Sequence, residues 1–156
     1  MTIRLAEKRD IPGLIALLYQ VGDVHHQIRP DIFRDRAIKY TPEQLEKLLA
    51  DEMKPIFVCD DDGFVAGYCF CQIRAYQNST VVTDHSELYI DDLCVDENRR
   101  GQHIGTGLYD HAVDYAKSIG CQFLSLNVWC GNENALRFYE SAGLTPRNIM
   151  MEKKLC

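Results

Sequence analysis

Basic charge, long apolar runs and paired cysteines are what this sequence has little of. Its 17 Lys and Arg residues face 23 acidic ones, for a formal net charge of −6. An acidic chain is a poor nucleic-acid binder unless its basic residues cluster. The tight basic pair nearest the glycine turn described below, Arg99-Arg100, is too small for a duplex footprint. No apolar stretch approaches a membrane span. The segment Met1-Thr-Ile-Arg-Leu-Ala-Glu-Lys-Arg-Asp10 is charged almost from its start and has no signal-peptide apolar region. A soluble cytoplasmic protein with neither nucleic acid nor membrane as partner is the expectation. The seven cysteines are odd in number and include no CxxC. Most lie in apolar, strand-like runs, which predicts buried, reduced thiols. Cys69 and Cys71 fall on one face of a strand, but no partner pair completes a zinc set, so no metal is expected. There is no internal repeat, low-complexity tract or linker, and the 156 residues predict one domain over 1–156.

Two familiar phosphate signatures are missing as well. The spaced Gly-Lys-Ser/Thr of a nucleotide loop does not occur, nor does GxGxxG with a distant acidic residue. What does occur is a strand from Glu87 to Val95 that runs into a glycine-bearing turn, and the turn runs straight into a helix from Gly105. A helix N-terminus offers unpaired N–H groups and the positive end of the dipole, and glycine lets the backbone close on an anion. The segment is suited to a phosphate-bearing ligand.

Periodicity outlines the rest. Ile3 to Leu5 reads as a first strand. Asp10 can cap a helix with Pro12 in its first turn and Gly22 as its end. His25 to Tyr40 lacks clean periodicity and reads as irregular or short-helical cover. Thr41-Pro42-Glu43-Gln44 is a capping box opening a second helix that fades near Met53. Pro55–Asp60 and Phe64–Ala75 form a hairpin across Asp61-Asp62-Gly63. A strand from Phe123 to Cys130, a helix capped by Asn132 or Asn134 and stopped by Gly143, and a last strand from Asn148 to Leu155 follow. The fold class is α/β: a mixed, mostly antiparallel sheet with one parallel strand pair and about four helices.

Arg100-Gly-Gln-His-Ile-Gly105 and Asn132-Glu-Asn-Ala-Leu-Arg-Phe-Tyr-Glu-Ser-Ala-Gly143 sit one strand apart. Together they resemble the pyrophosphate motif and the Asn-x-x-Ala-x-x-Phe-Tyr-x-x-x-Gly helix of the GNAT superfamily of acyl-CoA-dependent N-acetyltransferases. The departure is His103, where that family usually has glycine. It must then adopt an allowed φ or carry roughly 1 kcal/mol of strain.

The resemblance implies acetyl-CoA as co-substrate and an amine as acceptor. Backbone N–H groups of Arg100, Gly101, Gln102, His103, Ile104, Gly105 and Thr106 would wrap the pyrophosphate. Leu93, Cys94 and Val95 would pair with the pantetheine arm as if it were a strand, and Asn132 would bond to it too. Two parallel strands, ending near Val95 and Val128, would splay to admit the thioester. A main-chain N–H near Leu93 would serve the oxyanion. Tyr139 matches the general acid that protonates the leaving sulfur. By likeness to polyamine acetyltransferases Asp91 is favoured as base and Asp92 is second, with Glu87 or a water chain as alternatives. Strand alternation predicts that only one of the two aspartates faces the cleft, unless a bulge breaks the parity. Val24 to Pro30 falls where that family builds its acceptor cover, so His25 and His26 are read as a plain surface loop with a lid or substrate contact as the alternative, and Tyr76, Tyr89 and Trp129 as packing or the lining of an amine pocket. Cys94 fits as a core residue, since direct attack needs no protein nucleophile. The acidic strand favours a small cationic amine; a peptide acceptor, or a CoA-binding sensor with little turnover, are the alternatives. A homodimer is common in that family, and the last strand could contribute to one.

Overall fold

Strand alternation and helix capping set most of the elements in the computed structural model, which describes residues 1–156. The strands are β1 (Thr2–Leu5), β2 (Ile56–Asp61), β3 (Phe64–Tyr76), β4 (His85–Val95) and β5 (Phe123–Leu126). The helices are α1 (Ile11–Ile28), α2 (Pro42–Leu49), α3 (Ile104–Ser118) and α4 (Glu133–Ser141). The strands form one sheet in chain order, antiparallel from β1 to β4 and parallel between β4 and β5. A mixed sheet of this kind is what the sequence predicted.

Local chemistry explains the helix starts. The Thr41 side chain accepts from the Gln44 N–H and the Gln44 side chain accepts from the Thr41 N–H, closing the expected box. Asn132 Oδ1 accepts from the Ala135 N–H at 3.4 Å, which settles the cap of α4 in favour of Asn132. Asp10 departs from expectation: its carboxylate takes the Glu7 N–H and the Arg4 guanidinium, and no amide of α1. Arg4 also binds Asp60, so one guanidinium ties β1, β2 and the entry to α1 together.

Three boundaries differ from the sequence reading. First, α1 does not end at Gly22 but runs on to Ile28. Glycine is there for proximity, since a Cβ would lie 2.3 Å from the Ala37 carbonyl oxygen of the covering loop. Second, β5 stops at Leu126 rather than Cys130, because β4 turns away and offers no further partner. Third, residues 148–155 are not a strand; the stretch 145–156 has no regular structure and makes no backbone–backbone hydrogen bond. Strand propensity is realised only against a neighbour, and this stretch pairs with none.

The sheet is covered on both faces. Leu14, Leu17, Leu18 and Leu45 pack with Val58, Tyr68, Phe70 and Cys94 on the α1–α2 face. Leu108, Ala112 and Ala116 of α3 pack with Phe57, Cys69, Leu88 and Ile90 on the other. Even-numbered residues of β4 thus change faces along the strand, from Leu88 and Ile90 on one side to Cys94 on the other. The cause is a bulge: Phe70 pairs with Asp92 and Cys71 with Ile90, leaving Asp91 as the extra residue.

Candidate active site

The turn before α3 is held from below. Asp96 is buried, accepts from the Asn98 N–H and the Gln20 side-chain amide, and its own N–H bonds the Ala66 carbonyl. Gly101 and His103 then take positive φ, 79° and 60°. His103 is the left-handed residue that opens the helix, and its side chain is exposed. The first bond into α3 runs from the Gly107 N–H to the His103 carbonyl, so the amides of Ile104, Gly105 and Thr106 have no backbone acceptor. They face a cavity of about 260 Å³ bordered by Arg100, Gly101, His103 and Phe138. Arg99 also borders it, but its guanidinium is engaged by Asp61 at 2.7 Å and lies over Phe64. Arg100 makes no ion pair and is the free cation here. Gln102 is exposed and does not border the cavity.

The β4–β5 ladder ends at Ile90 opposite Leu126. Beyond it β4 has β3 on one side and open space on the other, and a second cavity of about 410 Å³ fills the opening. Leu93 borders this cavity and Val95 borders the first. Cys94 lies between them with its side chain turned into the α1–α2 core, so only its main chain can meet a ligand. Burial, with Asp92 adding to it, pushes the Cys94 thiol up to about 12, which keeps it protonated and inert.

The larger cavity collects most of the expected reactive groups. Asp91 and Asp92 both border it: the bulge at Asp91 breaks the parity, the exception the alternation reading allowed, and turns Asp92 onto the same face. Their surroundings differ. Asp91 accepts a hydrogen bond from the Tyr40 hydroxyl at 2.5 Å and pairs with Lys39 at 2.9 Å. Asp92 accepts from the Tyr68 hydroxyl at 2.7 Å and forms no ion pair. Burial raises the Asp92 carboxyl above its ordinary range, and the Tyr68 bond and the positive field of Lys39 only partly oppose this.

Tyr139 borders the same cavity from α4, with its ring against Phe138 and Tyr109. Its phenol is held well above the ordinary value, first by burial and then by neighbouring acidic groups including Asp92. Asn132 reaches the cavity with its amide nitrogen uncommitted, since its oxygen caps α4. His25 lines the wall, stacked on Phe33, and burial holds its imidazole below the usual value against the pull of Asp92. Phe33 in turn meets Trp129 edge-on at 5.0 Å. Tyr89 and Trp129 border the cavity. His26 instead bonds the Phe33 carbonyl, and Tyr76 stacks on His85 outside the cavity. Glu87 is also outside it, buried and paired with Arg147 at 2.7 Å. Although burial opposes it, that pairing and further hydrogen bonds hold its carboxyl below the usual range.

Tyr68, Tyr40, Lys39 and Phe33 were not singled out from the sequence. Tyr68 sits in an apolar run where any tyrosine reads as core. The other three fall in the aperiodic stretch before α2, where no spacing signals a role.

No group of three or more His, Cys, Asp or Glu side chains is arranged to hold a metal, and no helix is long and apolar enough to cross a membrane. Residues 21–144 match the model of the family described as acetyltransferase (GNAT). An uncharacterized N-acetyltransferase of Methanocaldococcus jannaschii is 30% identical over 149 residues, which cover 96% of this chain. The chain spans 62% of that relative's length. Among solved structures, a mutant of the BH1408 protein from Bacillus halodurans superposes with a TM-score of 0.95 at 29% identity, each chain covering 100% of the other. An aminoglycoside N-acetyltransferase in complex with CoA shares the fold, with a TM-score of 0.70 at 16% identity over 99% of this chain and 100% of that one.

Proposed function

Because the chain belongs to the GNAT acetyltransferase family, a family that uses acetyl-CoA, we propose that it moves the acetyl group of acetyl-CoA directly onto a primary amine of a small cationic molecule. The observation that carries this reading is the parting of β4 and β5. It leaves two cavities along the freed edge of β4, one lined by the free amides and Val95 and the other by Leu93, Asp92 and Tyr139.

The donor half follows from the cradle. Amides of Ile104, Gly105 and Thr106, with the side chain of Arg100, suit a diphosphate. The unpaired edge of β4 from Leu93 to Val95 suits an amide-bearing arm laid alongside it, with Asn132 reaching the same arm. A Leu93 N–H in this position can receive the negative charge that builds on the carbonyl oxygen.

The acceptor half turns on proton traffic. An alkyl amine with pKa ~10.4 is neutral in about one molecule in 2,500 at pH 7. Asp92, raised and free of any cation, is the better base; Asp91 is already neutralised by Lys39. Asp92 takes one proton from the ammonium directly or through a water chain, the amine nitrogen bonds to the acetyl carbon, the carbon–sulfur bond breaks, and the nitrogen's second proton is lost as the amide forms, balancing the proton that goes to sulfur. Tyr139 keeps its proton at working pH and offers it to the sulfur. An ordinary thiol titrates near ~8.5, below the phenol, so the gain lies in a hydrogen bond that tightens as thiolate charge develops. The aromatic wall of Tyr89, Phe33 and Trp129 beside one uncompensated carboxylate favours an organic cation. The reading places the protein in the cytoplasm, as a homodimer.

The test is release of free CoA thiol from acetyl-CoA with a panel of primary amines, alongside calorimetry with CoA alone. Turnover with a subset of small amines is the expected result. Heat of CoA binding without thiol release for any amine or peptide would reduce the chain to a binding module. No heat at all would remove the cradle reading.

A further inference from the structure

We infer that the acceptor is a small zwitterion, with a carboxylate or phosphate besides its ammonium, and that Arg34 at the rim of the larger cavity binds that anion. The inference rests on the amine-transfer reading and narrows it: the cation is one end of the acceptor, and the other end is negative.

The charged side chains that border the cavity are Arg34, Lys39, Asp91 and Asp92. Two of them cancel. Lys39 meets the Asp91 carboxylate at 2.9 Å and the Asp91 carbonyl oxygen at 3.3 Å. His25 adds no charge, since burial holds its imidazole below the usual value. Asp92 and Arg34 remain, one uncompensated charge of each sign. Asp92 takes the Tyr68 hydroxyl but no cation. Arg34 forms no ion pair, and Asp31 nearby in the chain is held by Arg29 at 2.8 Å. The two charges are not paired with each other. A ligand that satisfies both carries a positive group for Asp92 and a negative one for Arg34.

Arg34 is exposed, yet the backbone that carries it is held. The Phe33 N–H bonds the Arg29 carbonyl at 2.9 Å, and the Phe33 carbonyl accepts from His26 Nδ1 at 2.8 Å. The Phe33 ring stacks on His25 and meets Trp129 edge-on. A guanidinium carried at this point offers a planar fork of donors, which carboxylate and phosphate match with two parallel hydrogen bonds. The acetyl donor does not supply the anion. Its diphosphate belongs with the free amides at the smaller cavity, which Arg34 does not border. The arm between diphosphate and sulfur is uncharged, and the remaining phosphate of CoA lies beyond the diphosphate, away from the sulfur. The partner of Arg34 is therefore on the acceptor. A diamine would instead set a second cation beside Arg34, where like charges repel. A cavity of about 410 Å³ suits a small molecule.

The test is thiol release from acetyl-CoA with short acceptors of matched length. Each has a primary amine at one end and a carboxylate, a phosphate, a hydroxyl or a second amine at the other. For at least one anionic acceptor kcat/KM should exceed that of its hydroxyl counterpart by about 10-fold or more, with the diamine lowest. Arg34→Gln should erase that margin by raising KM for the anionic acceptor about 10-fold relative to the hydroxyl one, and Arg34→Glu should turn the preference toward the diamine. Both variants change an exposed side chain and should keep the fold. A preference for the diamine or the hydroxyl amine overturns the inference and leaves amine transfer standing. So does an anion preference that survives Arg34→Gln. If no amine releases thiol, the transfer reading itself fails, and calorimetry of the same acceptors into the CoA-loaded chain decides the inference. Heat from the anionic members that is lost in Arg34→Gln supports it, and no heat, or heat unchanged in the variant, overturns it.

Discussion

Replacing Tyr68 by Phe removes one oxygen from a side chain that is 0% exposed, and with it the only hydrogen bond donated to the Asp92 carboxylate. The ring still fills its place against Phe70, so packing is kept. What changes is the carboxylate. Asp92 has a folded-state pKa above its unfolded value, so its contribution to stability is present at low pH and is lost as pH rises through the folded value. The Tyr68 bond favours the ionised form and restrains that loss. A hydrogen bond to a charged group is worth about 1.5–3 kcal/mol, and one between neutral groups about 0.5–1.5 kcal/mol. Tyr68→Phe should therefore cost about 1.5–3 kcal/mol where Asp92 is ionised, or a fall in Tm of roughly 3–12 °C. In acid, where Asp92 is protonated in both proteins, the cost should shrink to the smaller figure. The catalytic corollary has the same sign. With its donor gone, Asp92 ionises at higher pH, and the acidic limb of kcat/KM moves upward. Thermal melts across pH, together with pH–rate profiles from thiol release, measure both. A stability cost equal at every pH would show that Asp92 does not change charge beside Tyr68. An acidic limb that stays in place while the stability cost appears would remove Asp92 as the base.

Asp92→Asn should abolish the acidic limb and lower kcat/KM by roughly 10²–10⁴-fold, while Asp91→Asn, whose partner charge is Lys39, should mainly raise KM for the amine; steady-state kinetics at several pH values compares them. Tyr139→Phe should lower kcat by roughly 10²-fold or somewhat less with the CoA Kd nearly unchanged, and near-normal turnover would remove Tyr139 from the chemistry. His103→Gly relieves a left-handed residue at φ 60° and should stabilise the fold by roughly 0.5–1 kcal/mol in denaturant titration. A loss of stability there would mean that the imidazole makes a contact worth more than the strain.

Residue order alone was enough for the parts whose causes are local. The capping box at Thr41, the Asp62-Gly63 hairpin, the turn from Arg100 into α3 and the Asn132 cap all depend on residues within a few positions of one another. The parallel β4–β5 pair follows from a strand–helix–strand order. For the same reason the two motif segments were legible in the sequence.

Tertiary structure decided what depends on distant partners. The bulge at Asp91 exists because β3 and β4 are unequal across one ladder, and nothing in Tyr-Ile-Asp-Asp-Leu announces it. It alone turns Asp92 toward Tyr68, 24 residues earlier in the chain, and makes Asp92 the carboxylate without a cation. Lys39 and Tyr40 reach Asp91 from 52 and 51 residues away, out of a stretch with no periodicity. Gly22 reads as a stop signal in sequence, yet in space it is the point where a loop carbonyl needs room. Residues 148–155 read as a strand in sequence but pair with no other backbone, and a strand forms only as part of a hydrogen-bonded ladder.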